Sequence, residues 1–161
     1  MTLPIVAYID GGSRGNPGPA GYGVSIETST GTIIDEFTGT IGVATNNTAE
    51  YRGLIAALEY LVENQYRDAI IRSDSQLLTR QMTGRYQVKH SQLRKLYTRA
   101  KELETFFENI DYEHIPREKN QRADKLANVA MDNTTGTAHS PKAKQSLASS
   151  SVPTVLSVGI D

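Results

Sequence analysis

Cysteine is absent from this chain. That excludes disulfides and thiolate zinc sites, and it is compatible with the cytoplasm, the expected location. Long apolar runs are missing as well, so no stretch reads as a membrane-spanning helix. Met1-Thr2-Leu3-Pro4 leads directly into a strand-like run, without a basic region followed by an apolar one, and no signal peptide is expected. The Asn-x-Thr triplets at Asn46 and Asn133 are therefore not expected to carry glycans. A strong net charge is also lacking. The balance is −1, so the chain as a whole is not a basic nucleic-acid binder. A local absence says more. Ser75 to Lys101 contains no Asp or Glu, yet carries Arg80, Arg85, Lys89, Arg94, Lys95, Arg99 and Lys101. Such a stretch predicts a locally positive surface, either a solvated helix face or a phosphate-contacting one.

What is present is a set of four carboxylates in unusual settings. Asp10 lies in Tyr8-Ile9-Asp10-Gly11-Gly12-Ser13, and Glu50 closes Thr45-Asn46-Asn47-Thr48-Ala49-Glu50. Asp74 lies in Ser73-Asp74-Ser75-Gln76, and Asp124 in Arg122-Ala123-Asp124-Lys125-Leu126-Ala127. Taken singly, such acids form turns, cap helices or face solvent. Together they suggest an acidic cluster, which stays ionised only with cations between its members. Oxygen ligands without sulfur favour Mg²⁺ or Mn²⁺.

With 161 residues, the chain predicts one domain over residues 1–132 and a tail over 133–161. Ile5–Ile9 reads as a buried strand, and the stretch Gly11–Gly21, dense in Gly, Pro, Asn and Ser, reads as a turn. Ala20–Glu27 and Gly31–Gly39 read as two more strands, joined by a hairpin at Ser29-Thr30-Gly31. The period then changes. Leu54, Leu58, Leu61 and Val62 mark a helix capped at Thr45, Asn46 or Asn47. Glu50 precedes Leu54 by one helical repeat, which puts it at the rim of the core.

Ala69–Ser73 reads as a strand ending at Asp74, followed by a short helix from Ser75 to about Met82. Leu93, Leu96, Tyr97, Ala100, Leu103 and Phe107 form a second amphipathic stripe. Ile110–Pro116 reads as a last strand and Asn120–Asp132 as a last helix, with Asp124, Ala127 and Met131 on one face. The order β-β-β-α-β-α-α-β-α implies an α/β fold, a mixed sheet covered by helices. Each helical stripe has a sheet to cover, so a monomer is expected. The composition from Asn133 to Ser151 reads as a flexible linker, and 152–160 regains apolar residues suited to docking as a strand or to fraying.

If the strands ending at Asp10 and Asp74 are neighbours, Glu50 and Asp124 approach them from helices. Such a set can hold two divalent ions about 3.5–4 Å apart. Asp10-Gly11-Gly12, Thr45-Asn46-Asn47-x-x-Glu50, Asp74-Ser75-Gln76 and Arg117-Glu118-x-Asn120-x-x-Ala123-Asp124-x-Leu126-Ala127 resemble the type 1 ribonuclease H family, in order and spacing over roughly residues 4–132. The resemblance implies a five-stranded mixed sheet in the order 3-2-1-4-5, with helices on both faces. It implies an endonuclease that cuts the RNA strand of RNA/DNA hybrids, leaving a 5′-phosphate and a 3′-hydroxyl.

By position, the resemblance makes Asp10 the bridge between two ions, with Glu50 and Asp74 at one and Asp124 at the other. It assigns the peptide groups around Gly11 and Gly12, the Glu50 region and the Gln76 side chain to RNA 2′-hydroxyls, and Asn16, Asn46, Asn47 and Gln76 to the hybrid's minor groove. Thr45 falls near a DNA phosphate. Two features depart from the family's best-known bacterial form. The connection Pro116-Arg117-Glu118-Lys119-Asn120 lacks its loop His, a role that Glu118 is a candidate to fill; His114 falls inside a strand and is not expected to be catalytic. The segment between Gln76 and Leu93 is too short for its basic protrusion, which Lys89, Arg94, Lys95 and Arg99 would replace in part. Short forms of the family sometimes accept RNA–DNA junctions or double-stranded RNA. The competing readings are a nuclease of the same fold for structured RNA and a non-catalytic hybrid-binding module.

Overall fold

The computed structural model describes residues 3–134. The expected linker beyond Thr134 and the segment 152–160 lie outside the described residues. Five strands form one sheet: β1 (Ile5–Ser13), β2 (Gly18–Glu27), β3 (Ile33–Ala44), β4 (Asp68–Ser73) and β5 (Asn109–His114). Their order is β3-β2-β1-β4-β5. The meander β1-β2-β3 pairs antiparallel, whereas β4 runs parallel to both β1 and β5. The helices are α1 (Asn46–Glu63), α2 (Gln76–Met82), α3 (Ser91–Glu104) and α4 (Gln121–Thr134), with a short 3₁₀ turn at Arg117–Lys119.

Alternation along the strands sorts the two faces. Ala7 and Ile9 of β1, Val24 and Ile26 of β2, and Ile71 of β4 turn toward α1, where Leu54, Leu58 and Leu61 are fully buried. The stripe on α3 joins this core through Leu93, Ala100 and Leu103, with Leu96, Tyr97 and Phe107 half-buried against it. Burying a side chain such as Leu54 contributes about 1.5–3 kcal/mol. On the opposite face, α4 lies flush against β2. A Cβ built on Gly21 would stand 2.5 Å from Ala130 Cβ, and one on Gly23 would stand 2.5 Å from both the Ala123 carbonyl oxygen and Leu126 Cβ.

The expected turn over Gly11–Gly21 is much narrower in the structure. β1 continues through Ser13 and β2 starts at Gly18, with Gly11↔Tyr22, Gly12↔Gly21 and Ser13↔Ala20 in register. Ladder pairing and close helix packing hold these glycines extended, and the chain reverses only over residues 14–17, closed by Arg14 N donating to Pro19 O at 2.8 Å. β3 likewise runs past Gly39 to Ala44, with its register shifted opposite Ala20/Gly21. Between α2 and α3 the chain makes a connection without a helix.

Candidate active site

Parallel pairing of β1 with β4, Ile9 opposite Ser73, brings Asp10 beside Asp74, the residue after the end of β4. Asp10 was expected at a strand end, but β1 continues through Ser13 because its next residues pair with β2, so Asp10 lies within the strand. Asp74 is held between a strand end and a helix start: Ser75 N donates to Ser73 Oγ at 3.0 Å, and Ser75 Oγ caps α2 by accepting from Leu78 N at 3.1 Å. Glu50 arrives from the first turns of α1, whose N-cap Thr45 accepts from Thr48 N at 3.2 Å. One carboxylate oxygen each from Asp10, Glu50 and Asp74 lies within 4.8 Å of the other two. Asp124, from the first turn of α4, stands near enough to the Asp10 carboxyl to raise it.

The cluster is electrostatically expensive. Burial above all, then the Asp74 charge, then the hydrogen bond and charge of Asp124, push the Asp10 carboxyl up to about 8. Burial first, and then the charges of Asp10 and Asp74, also raise Glu50 well above the usual carboxylate range. The Gly11 amide opposes both shifts, and Arg117 opposes that of Glu50. Glu50 Oε1 is buried without a hydrogen-bond partner. An all-oxygen set with an orphaned carboxylate oxygen, in which neighbouring charges raise the proton affinity of Asp10 and Glu50, fits a hard divalent cation.

Close packing supports the site's floor. A Cβ on Gly11 would run into the Ala49 carbonyl and lie 2.6 Å from Glu50 N, so only glycine lets β1 pass the start of α1 here. Gly12 is roomier, with Met131 Sδ 3.5 Å and Asn46 Oδ1 3.7 Å from such a Cβ. The amides are partly committed. Asn46 Oδ1 accepts from Ser13 N at 2.8 Å and Ser13 Oγ at 3.1 Å, and Asn16 Oδ1 accepts from Asn46 N at 3.0 Å. Asn47 and Gln76 are exposed at the starts of α1 and α2. Thr45 therefore caps the helix, a role that Asn46 and Asn47 do not share.

The basic stretch divides. Arg99 pairs with Glu59 at 3.3 Å and Glu102 at 3.6 Å, and Lys101 pairs with Glu104 at 2.8 Å, so these two charges have acidic partners at the surface. Arg99, expected on the phosphate surface, thus also answers to acids of its own fold. Arg80 stacks on Tyr86, 5.3 Å from the ring centroid. Lys89 and Arg94 are exposed and make no ion pair among the described residues; the structure does not join them to the carboxylates.

Two residues near the acids escaped sequence reasoning. Arg117 Nη2 lies 3.5 Å from Asp124 Oδ1, whereas the neighbouring Glu118 is exposed with no such contact. Asn120, 1% exposed, donates from Nδ2 to the Ile9 carbonyl at 2.9 Å and to Asp74 Oδ2 at 3.3 Å. Its only sequence signal was its place in the motif before Asp124.

A family model described as reverse transcriptase-like matches residues 8–130. The chain is 50% identical over 131 residues to the bifunctional protein Rv2228c of Mycobacterium tuberculosis, covering 81% of this chain and 36% of that protein. It is 48% identical over 128 residues to ribonuclease HI of Halobacterium salinarum, covering 80% of this chain and 64% of the relative. The match thus spans less than two thirds of either relative's length. The structure of LC11-RNase H1, solved in complex with RNA/DNA hybrid, superposes with a TM-score of 0.78 at 43% identity, over 82% of this chain and 99% of that one. The sheet order, the position of the acids and these likenesses agree, and the chain belongs to the type 1 ribonuclease H family.

Proposed function

We propose that this chain is an endoribonuclease that cleaves the RNA strand of RNA/DNA hybrids with Mg²⁺ or Mn²⁺, leaving a 5′-phosphate and a 3′-hydroxyl. The observation that carries this reading is the convergence of Asp10, Glu50 and Asp74, with Asp124 against Asp10 and Glu50 Oε1 left without a partner. A binding module has no need of a buried carboxylate cluster that opposes its own ionisation.

Asp10, Glu50 and Asp74 would hold one ion, and Asp10 with Asp124 the other. Two such ions, when bound, activate a water and stabilise the leaving oxygen of an in-line displacement at phosphorus. The protein's own groups place the substrate. With Asn16 and Asn46 oxygens used internally, their Nδ2 groups remain as donors. Minor-groove acceptors are shared by all base pairs, so such donors read the duplex without reading its sequence. The peptide groups around Gly11 and Gly12 and the amide of Gln76 would meet 2′-hydroxyls, the group that separates RNA from DNA. Thr45 stands at the rim for a DNA phosphate, with Asn47 beside it. Lys89 and Arg94 supply charge for phosphates further along the duplex.

The test is cleavage of a labelled RNA strand in a hybrid with either metal, for the parent and Asp10→Asn. Internal cuts by the parent, abolished by EDTA and in the variant, are expected. A folded parent that binds the hybrid and never cuts it would make this a binding module.

A further inference from the structure

Asn120 is a fully buried amide that the chemistry above does not use. Its two hydrogen-bond partners, the Ile9 carbonyl and Asp74 Oδ2, are both acceptors, which fixes the amide with Nδ2 toward them. Its Oδ1 is buried with no partner. Ile9 immediately precedes Asp10 on β1. The Asn120 backbone also opens α4, its carbonyl accepting from Asp124 N at 3.0 Å while its own N–H donates to Arg117 O at 2.9 Å. One residue therefore ties together the backbone before Asp10, the carboxylate of Asp74 and the helical turn that carries Asp124.

We propose that Asn120 is a positioning residue for the carboxylate cluster: its amide fixes the spacing between β1 at Ile9 and the end of β4, and turns Asp74 to present its other oxygen to Asp10 and Glu50. A neutral donor is required here. A carboxylate would add an anion 3.3 Å from Asp74, and an apolar side chain would strand the buried Ile9 carbonyl. The inference rests on the nuclease reading of the site, and it concerns how the site is held.

The experiment compares the full chain with Asn120→Ala and Asn120→Ser, the latter keeping one donor. Uptake of Mn²⁺ is followed by thermal shift without nucleic acid, alongside kcat, KM and hybrid affinity in EDTA. The Mn²⁺ concentration for half-maximal stabilisation is expected to rise about 10-fold or more in the alanine variant, and less in the serine variant. kcat should fall about 10- to 100-fold, with KM and metal-free hybrid affinity within about twofold. In an Asp74→Asn background, Asn120→Ala should move the Mn²⁺ midpoint less than it does in the parent, because the carboxylate it turns is gone while the Ile9 carbonyl remains.

Folded variants with a Mn²⁺ midpoint within about twofold of the parent would overturn the assignment. So would failure of both to fold, which would make Asn120 a purely structural residue. A parent that takes up Mn²⁺ but never cuts a hybrid would remove the nuclease reading and leave the metal comparison to decide Asn120 separately.

Discussion

Gly11 of β1 and Ala49 of α1 are in direct backbone contact, with no room for a Cβ between them. This contact sets the distance from the Asp10 strand to the helix that carries Glu50. Gly11→Ala is expected to push strand and helix apart. It should cost about 1–3 kcal/mol of stability, as overpacking does. Hybrid cleavage should fall about 100-fold, since misplacement on the order of 1 Å has that effect. Chemical denaturation and cleavage kinetics together check both parts.

The acids make a pH prediction with a definite sign. The Asp10 carboxyl rises from 3.8 to about 8 on folding, and Glu50 is raised as well. Between those values the folded state binds more protons than the unfolded one, so metal-free stability should fall as pH rises through that window. In EDTA the parent should melt a few degrees lower at pH 8 than at pH 5. Asp10→Asn should reduce that slope and melt above the parent at pH 8. A parent whose melting temperature climbs with pH over this range would refute the account.

Lys89 and Arg94 are exposed and uncommitted, in contrast to Arg99. Changing both to Ala should lower hybrid affinity at low salt by about 5- to 20-fold and reduce the slope of log affinity against log salt by about one to two. kcat at saturating hybrid should hold. Filter binding over a salt series reads the slope directly.

Arg117 pairs with Asp124 beside the acids, and Glu118 next to it is exposed. Arg117→Ala should raise the Glu50 carboxyl further, because the arginine now opposes its rise. The acid limb of the kcat profile should move to higher pH, with about a 3- to 10-fold loss of rate near neutrality. Glu118→Gln should change kcat by less than Arg117→Ala. Parallel pH–rate profiles of the two variants rank them.

The convergence of Asp10, Glu50 and Asp74 was legible because Asp74 follows a strand end and Glu50 lies in the first turns of a helix, whereas Asp10 lies inside β1, not at the strand end expected of it. Local pattern carries that information. The strand order followed from the family resemblance, and pairing of β1 with β4 bears it out. What stayed hidden depends on contacts between distant residues. Asn120 meets the Ile9 carbonyl across 111 positions, and in sequence it reads only as the start of the last helix and a member of the motif before Asp124. The fate of Arg99 rested on Glu59 of another helix. Gly11, Gly12 and Ser13 read as a turn by composition, but strand pairing and the tight passage of α1 keep them extended.

Two hydrogen atoms on β2, in place of side chains at Gly21 and Gly23, set how low α4 can ride. The reach of Asp124 toward Asp10 is therefore decided on a strand that bears none of the acids. A methyl group at either position would lift the whole helix, and the fourth carboxylate with it. Chemistry at the carboxylates thus has a height adjustment in the middle of the sheet, where a change would be mistaken for a fault of folding until metal uptake was measured.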